Sequence, residues 1–151
     1  MQFRNRFRGA WIALAAALAD RLSKVAVARL GWAGPLIPGI VDLQPVRNRG
    51  MAFSLLSGQA LLLSAVTALL IAGLAGWLMA RPGAPRLMRA GLWLIVGGGL
   101  GNLYDRLTLG SVCDFIELAF VRFAVFNVAD VCICLGAALA VIAGGKKGSR
   151  E

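Results

Sequence analysis

Two aspartates, Asp114 and Asp130, stand where a chain this apolar has little reason to carry charge. Asp114 closes the run Gly-Asn-Leu-Tyr-Asp-Arg-Leu-Thr-Leu-Gly-Ser-Val-Cys-Asp (101–114), and Asp130 closes Phe-Asn-Val-Ala-Asp (126–130), directly before the last apolar segment. The chain has no histidine, so proton-transfer chemistry would fall to carboxylates. Neither aspartate has a basic residue within four positions. Unpaired carboxylates at a low-dielectric boundary tend to take up protons, and two in contact cannot both ionise comfortably. One could then deprotonate a water while the other, protonated, polarises a scissile carbonyl. The plainer readings are helix capping by Asp130 and a loop turn at Asp114.

Other polar residues also fall inside apolar stretches. Asp20 and Lys24 are spaced i, i+4, so they share a helix face and can pair, with a structural or substrate-orienting role favoured. Lys24 as the base for a Ser54 nucleophile is disfavoured, because an adjacent aspartate holds a lysine in its charged form. Asn102, Asp105 and Arg106 cluster near one helix end, with Asn102 and Arg106 four apart; they could meet lipid headgroups or position the aspartates. Cys132 and Cys134, two apart, point to different faces and should not pair; small apolar packing is their expected role. Cys113 adjoins Asp114, but a cysteine nucleophile normally needs a base such as histidine. Gly97, Gly98, Gly99 and Gly101 lack the lysine and Ser/Thr of a phosphate-binding loop. Close helix approach, with Gly97 and Gly101 spaced by four, is expected instead.

These residues must be positioned by a membrane-embedded frame. Hydrophobic residues make up 59 % of the 151, charged residues 15 %, and mean hydropathy is +0.76. Four apolar stretches come near the ~20 residues that span a bilayer: Ala10 to Leu30, Gln59 to Ala80, Leu87 to Leu107 and Val128 to Gly144. The first is too long and too charged inside to be a cleaved signal peptide. The expected fold is an all-α membrane protein, a single domain over residues 1–151, with four transmembrane helices and a small β-rich region on the outer face. The outer segments are 31–58 and 108–127. Val41 to Val46, Met51 to Leu55 and Phe120 to Phe126 are the expected strands.

The net charge of +9 is not that of a nucleic-acid binder, because it is distributed by side. Arg4, Arg6 and Arg8, then Arg81, Arg86 and Arg89, then Lys146, Lys147 and Arg150 all fall on one side of a four-span topology. The positive-inside rule makes that side, and both termini, cytoplasmic. Elaboration on the other side implies that function faces outward. Gly31 to Gly39, rich in glycine and proline, is expected to be a mobile lid. From residues alone an enzyme, a small ion transporter and a structural subunit stand almost level. A transporter would spread polar residues across the bilayer, whereas the second span is nearly featureless.

Five stretches in order resemble the lipoprotein signal peptidase (signal peptidase II) family across essentially the whole chain. They are Asp-Arg-Leu-Ser-Lys (20–24), Asn-Arg-Gly-Met-Ala-Phe-Ser (48–54), Gly-Asn-Leu-Tyr-Asp-Arg-Leu (101–107), Val-Cys-Asp-Phe-Ile (112–116) and Phe-Asn-Val-Ala-Asp (126–130). The resemblance implies a membrane aspartyl endopeptidase that removes the signal peptide just before a lipobox cysteine already carrying diacylglyceryl. It implies Asp114 and Asp130 as the catalytic dyad. It also implies Asn48, Gly50, Ala52 and Phe53 in a substrate-cradling region, and Asp20, Lys24, Asn102, Asp105, Arg106, Asn127 and Ala129 supporting or lining the site. Sensitivity to the cyclic peptide globomycin is implied too. Departures from the family pattern, at Arg21, Met51, Cys113 and Val131, leave the dyad untouched. No metal or organic cofactor is expected. Expected partners are prolipoprotein substrates and membrane lipid, with the protein a monomer in the bacterial cytoplasmic membrane. Cleavage should follow an acid–base pH profile governed by the coupled dyad.

Overall fold

The structure, a computed structural model, describes residues 7–31, 33–50 and 58–148. Four long helices carry most of the chain: α1 (Ala10–Leu30), α2 (Ala60–Ala80), α3 (Arg86–Leu109) and α4 (Val128–Gly148). Three strands, β1 (Gly34–Ile37), β2 (Val41–Asn48) and β3 (Val112–Leu118), form an antiparallel sheet in the order β1-β2-β3. Chain chemistry sets the ends of the helices. Gly31 and Gly110, both left-handed, follow the last residues of α1 and α3 and return their N–H groups to Val27 and Arg106. Between α2 and α3, Pro82, Gly83 and Pro85 leave only a tight turn.

The helices are inverted relative to those of a water-soluble bundle. In α1 the buried face is Ala13, Ala16, Asp20, Lys24 and Val27, while Trp11, Leu14, Leu18 and Leu22 point outward. Both sets recur at helical spacing, so the Asp20 and Lys24 charges are inside and bulk apolar surface is outside, with Arg21 and Arg29 also exposed. In α2, Leu61, Leu62, Val66, Leu69 and Leu70 are exposed, and Ser64 is buried. Among the described residues, two helices are long and apolar enough to cross a membrane, Ala60–Ala80 and Val128–Gly145, with mean hydropathies of 2.2 and 2.1.

Helix α3 touches all three of the others. Its glycines make this possible. A Cβ at Gly97 would strike the Ala13 carbonyl oxygen of α1, and one at Gly98 the Ala129 carbonyl oxygen of α4. One turn after Gly97, the missing side chain of Gly101 leaves room for the Asp20 carboxylate. The expected Gly97/Gly101 face therefore packs against α1.

The sheet differs from the sequence expectation at its third strand. Phe120 to Phe126 is not a strand: Phe120, Val121 and Phe123 are exposed, and only Phe126 makes a bridge, to Ile116. The ladder instead runs through Val112–Leu118, where Asp114 and Glu117 interrupt the apolar signal. What anchors it is Phe115, buried against Val27 of α1 and Leu43 of β2. Strand β2 runs two residues beyond the expected Val46, to Asn48. Gly34–Ile37, within the segment expected to be a lid, pairs with β2 as the edge strand. The expected strand Met51 to Leu55 lies outside the described residues. Arg89, counted from sequence among the cations of the loops, is buried. It donates to the carbonyl oxygens of Leu78 (2.8 Å), Arg81 (3.1 Å) and Arg8 (3.1 Å), tying the end of α2 to the start of α1.

Candidate active site

Asp114 sits on β3, not in a loop turn, and its neighbours follow from strand register. Asn48 pairs with Val112, and Asp114 lies two residues on from Val112, so the two side chains are diagonal neighbours on one face. Asn48 Nδ2 donates to Asp114 Oδ2 at 2.9 Å. Asn127 Nδ2 donates to the other oxygen, Oδ1, at 2.6 Å. Asp114 is 3 % exposed, and that burial raises its pKa to about 6. The Asn48 bond opposes the rise, the negative charge of Asp130 adds to it, and the Asn127 bond and Lys24 oppose it again.

Asp130 is the third residue of α4, and it does cap the helix, with Asn127 as the N-cap. The Asn127 Oδ1 accepts the Asp130 N–H (2.9 Å), and Asp130 Oδ2 accepts the Asn127 N–H (3.2 Å). This reciprocal pair is a capping box. It leaves Asp130 Oδ1, which accepts from Asn102 Nδ2 at 2.8 Å. Asn127 therefore touches both aspartates: its side-chain amide holds Asp114 and its backbone N–H holds Asp130.

Behind the asparagines lies an ionic layer. Lys24 Nζ is 2.8 Å from both Asp20 Oδ2 and Asp105 Oδ2, and it donates to Asn102 Oδ1 at 3.3 Å. Asn127 Nδ2 also reaches that oxygen, at 3.0 Å. Asp20 Oδ1 accepts the Ala129 N–H, binding α1 to the first turn of α4. Asp105 Oδ2 accepts the Cys113 N–H, and Arg21 approaches Asp105 Oδ1 at 3.6 Å while stacking over Tyr104. The expected Asp20–Lys24 pair is present, and a lysine held by two carboxylates is not a free base. Burial, then the nearby Asp105 charge, raises the pKa of Cys113, which keeps the thiol protonated and a poor nucleophile. All three cysteines are free.

A cavity of about 490 Å³ opens over both aspartates. Asn48, Gly50, Asn102 and Arg106 line its polar end; Phe123, Phe126, Val131 and Leu135 belong to its apolar walls. Arg106 donates to the Gly50 carbonyl oxygen at 3.4 Å, and the Gly50 N–H is held by Asn48 Oδ1 at 2.9 Å. Of the expected site residues, Asp20, Lys24, Asn48, Gly50, Asn102, Asp105, Arg106, Asp114, Asn127, Ala129 and Asp130 form one connected cluster. Ala52, Phe53 and Ser54 lie outside the described residues. The apolar wall was not foreseen, although Val131, Cys134 and Leu135 follow Asp130 at i+1, i+4 and i+5. Among the described residues, no group of His, Cys, Asp and Glu side chains is arranged to hold a metal ion.

Two solved structures similar to this one are of bacterial membrane enzymes. A bacterial membrane enzyme solved by the in meso method at 2.3 Å superposes with a TM-score of 0.88 and 28 % identity, over 95 % of this chain and 91 % of that one. A second, solved by the same method at 1.9 Å, gives a TM-score of 0.81 over 90 % of this chain, with 91 % of that chain covered. The family model for signal peptidase (SPase) II matches residues 12–144. The lipoprotein signal peptidase of Streptococcus pyogenes serotype M6 is 43 % identical over 126 residues, 82 % of this chain and 83 % of that protein. That of serotype M3 is 42 % identical over the same length. Fold and relatives together define a membrane protease. The chain belongs to the signal peptidase II family.

Proposed function

We propose that the protein removes signal peptides from diacylglyceryl-modified prolipoproteins, cutting just before the lipidated cysteine, with Asp114 and Asp130 as an acid–base dyad. The observation that carries this reading is that both carboxyls line one cavity and are bridged by a single residue, Asn127. Asp114, which keeps its proton up to about pH 6, is the acid. Asp130, bonded by a backbone N–H in the first turn of α4, is the base. Asp130 takes a proton from water, and the hydroxide adds to the scissile carbonyl carbon. The Asp114 proton passes to the carbonyl oxygen. Collapse of the tetrahedral adduct delivers a proton to the leaving nitrogen, freeing the amino group of the lipidated cysteine and the carboxylate of the signal peptide.

In this reading all four helices cross the membrane, both termini are cytoplasmic and the sheet lies on the outer face. The inverted burial of α1, with Asp20 and Lys24 paired inside and large apolar side chains outside, supports a span despite its four ionisable residues, of which Arg29 lies in the last turn. A substrate anchored by its own lipid in the outer leaflet presents its scissile bond near that depth, so the membrane supplies proximity. The test is cleavage of a diacylglyceryl-modified prolipoprotein by purified protein. Asp114→Asn and Asp130→Asn should each lose roughly 10²–10⁴-fold in rate while remaining folded. Full activity in either variant would sink the dyad.

A further inference from the structure

A second cavity, of about 540 Å³, lies between α1 and α3 and shares no lining residue with the one over the aspartates. Leu14 and Leu18 of α1 and Leu100, Leu103 and Leu107 of α3 make it apolar. Ala17 and Gly101 also line it, and their small size leaves the hollow. Between Leu14 and Arg21 helix α1 rises roughly 10 Å, so the cavity is a groove running along the two helices.

One charge at this groove has unused capacity. Arg21 is 46 % exposed and stacks on Tyr104, 4.9 Å from the ring centroid. Asp105 Oδ1 stands 3.6 Å from it, beyond hydrogen-bonding reach. A guanidinium has five N–H donors, and among the described residues Arg21 bonds through none of them. The carboxylate of Asp20 lines the groove too, but Lys24 and the Ala129 N–H already occupy it. Donors left unmet on a spanning helix are costly, so an acceptor must come from the membrane itself. A phosphodiester offers two free oxygens, which match the fork of a guanidinium.

The order of residues along the groove fits one lipid orientation. In the topology proposed above α1 and α3 both run outward, so Leu14, Leu18 and Leu100 lie deep and Arg21 and Tyr104 lie nearer the outer face. A phospholipid of the outer leaflet has the same polarity, with its chains inward and its phosphate outward. The long side chain of Arg21 can extend toward that phosphate.

We propose that the groove between α1 and α3 is a binding site for a glycerophospholipid of the outer leaflet, with an acyl chain along its leucines and the headgroup phosphate held by Arg21. The inference rests on α1 being a membrane span. The site is separate from the catalytic cavity, so its occupant is a resident of the membrane and not the substrate.

The experiment titrates dioleoylphosphatidylglycerol into the full chain in neutral detergent and reads bound lipid by native mass spectrometry. Dioleoylglycerol, with the same chains and no phosphate, and inorganic phosphate, with no chains, are the comparisons. Wild type should bind the phospholipid and neither comparison. Arg21→Gln should weaken binding about tenfold, as loss of a charged phosphate contact requires. Leu18→Trp, which fills the groove, should weaken it as well. Arg29→Gln removes an exposed cation of the same helix outside the groove and should bind like wild type. Equal binding of dioleoylglycerol would leave only an acyl slot, and binding of inorganic phosphate only an anion site. Either result overturns the inference, as does unchanged binding by Arg21→Gln or an equal loss in Arg29→Gln. Arg21→Gln remains decisive if Leu18→Trp fails to fold. Prolipoprotein cleavage is measured on the same preparations: cleavage without phospholipid binding sinks this inference alone, whereas phospholipid binding without cleavage sinks the peptidase reading.

Discussion

Lys24, at the sheet end of the bundle, and Arg89, at the opposite end, are both almost fully buried cations, and they are partnered by different chemistry. Arg89 meets main-chain carbonyls at the ends of α1 and α2. Such partners neither titrate nor rotate, so that end is fixed. Lys24 meets two carboxylates and a carboxamide, groups that can change protonation or orientation and that lead to Asp114 and Asp130. Two equally buried charges thus serve different ends. What a buried charge does is decided by whether its partners can respond.

The largest effect that would test this contrast is at the fixed end. Arg89→Met removes three hydrogen bonds made by a buried guanidinium, leaving the Arg8 carbonyl to Trp93 Nε1 and the Arg81 carbonyl to the Ala84 N–H. It should cost about 3–5 kcal/mol, measured by denaturant unfolding in detergent, while cleavage per folded molecule stays at the wild-type rate. A loss of turnover in the folded fraction would break the comparison. Next comes Asp114. Its pKa is raised in the fold, so its stabilising contribution is present below pH ~3.9 and is lost as pH rises through about 6. Wild type should lose about 2–3 kcal/mol over that window from this group, and Asp114→Asn should flatten that part of the stability curve. Parallel curves would contradict it.

Smaller effects sharpen the boundary between the two ends. An added Cβ in Gly101→Ala meets the Asp20 carboxylate at 2.5 Å. It should cost about 2 kcal/mol and, unlike Arg89→Met, also slow cleavage of the folded protein, because Asp20 holds both Lys24 and the start of α4. Arg21→Gln should be the mildest. Arg21 is half-exposed and stands 3.6 Å from Asp105, so only about 0.5 kcal/mol is expected in thermal unfolding.

The helices and the two aspartates were legible in the sequence because length, hydropathy and charge inside apolar runs are local signals. The Asp20–Lys24 pair was legible because i, i+4 spacing fixes a shared face. Strand β3 was hidden because Asp114 and Glu117 break its apolar pattern, and Phe120 to Phe126 imitates a strand by composition alone. The inward turn of Arg89 could not be read, since its partners come from α1 and α2 and are backbone atoms without sequence identity. Capping by Asp130 and chemistry at Asp130, weighed as alternatives, are compatible: one oxygen binds the helix N-terminus and the other faces Asn102.

A single irregularity in β2 decides which side chain meets Asp114. From Leu43↔Ile116 to Val46↔Asp114 the pairing advances three residues on β2 and two on β3, with Pro45, which has no N–H to donate, inside the extra step. That offset brings Asn48 to the Asp114 side of the sheet. Regular pairing with no residue lost would set Arg47, not Asn48, opposite Val112, exchanging an amide for a guanidinium beside the carboxyl. Deletion of Gln44 or Pro45, by contrast, would remove the extra residue and keep Asn48 opposite Val112. The vulnerable property of this region is therefore its register: a slip of one residue would leave every chemically active residue in the chain and change the local electrostatics through the pleat alone.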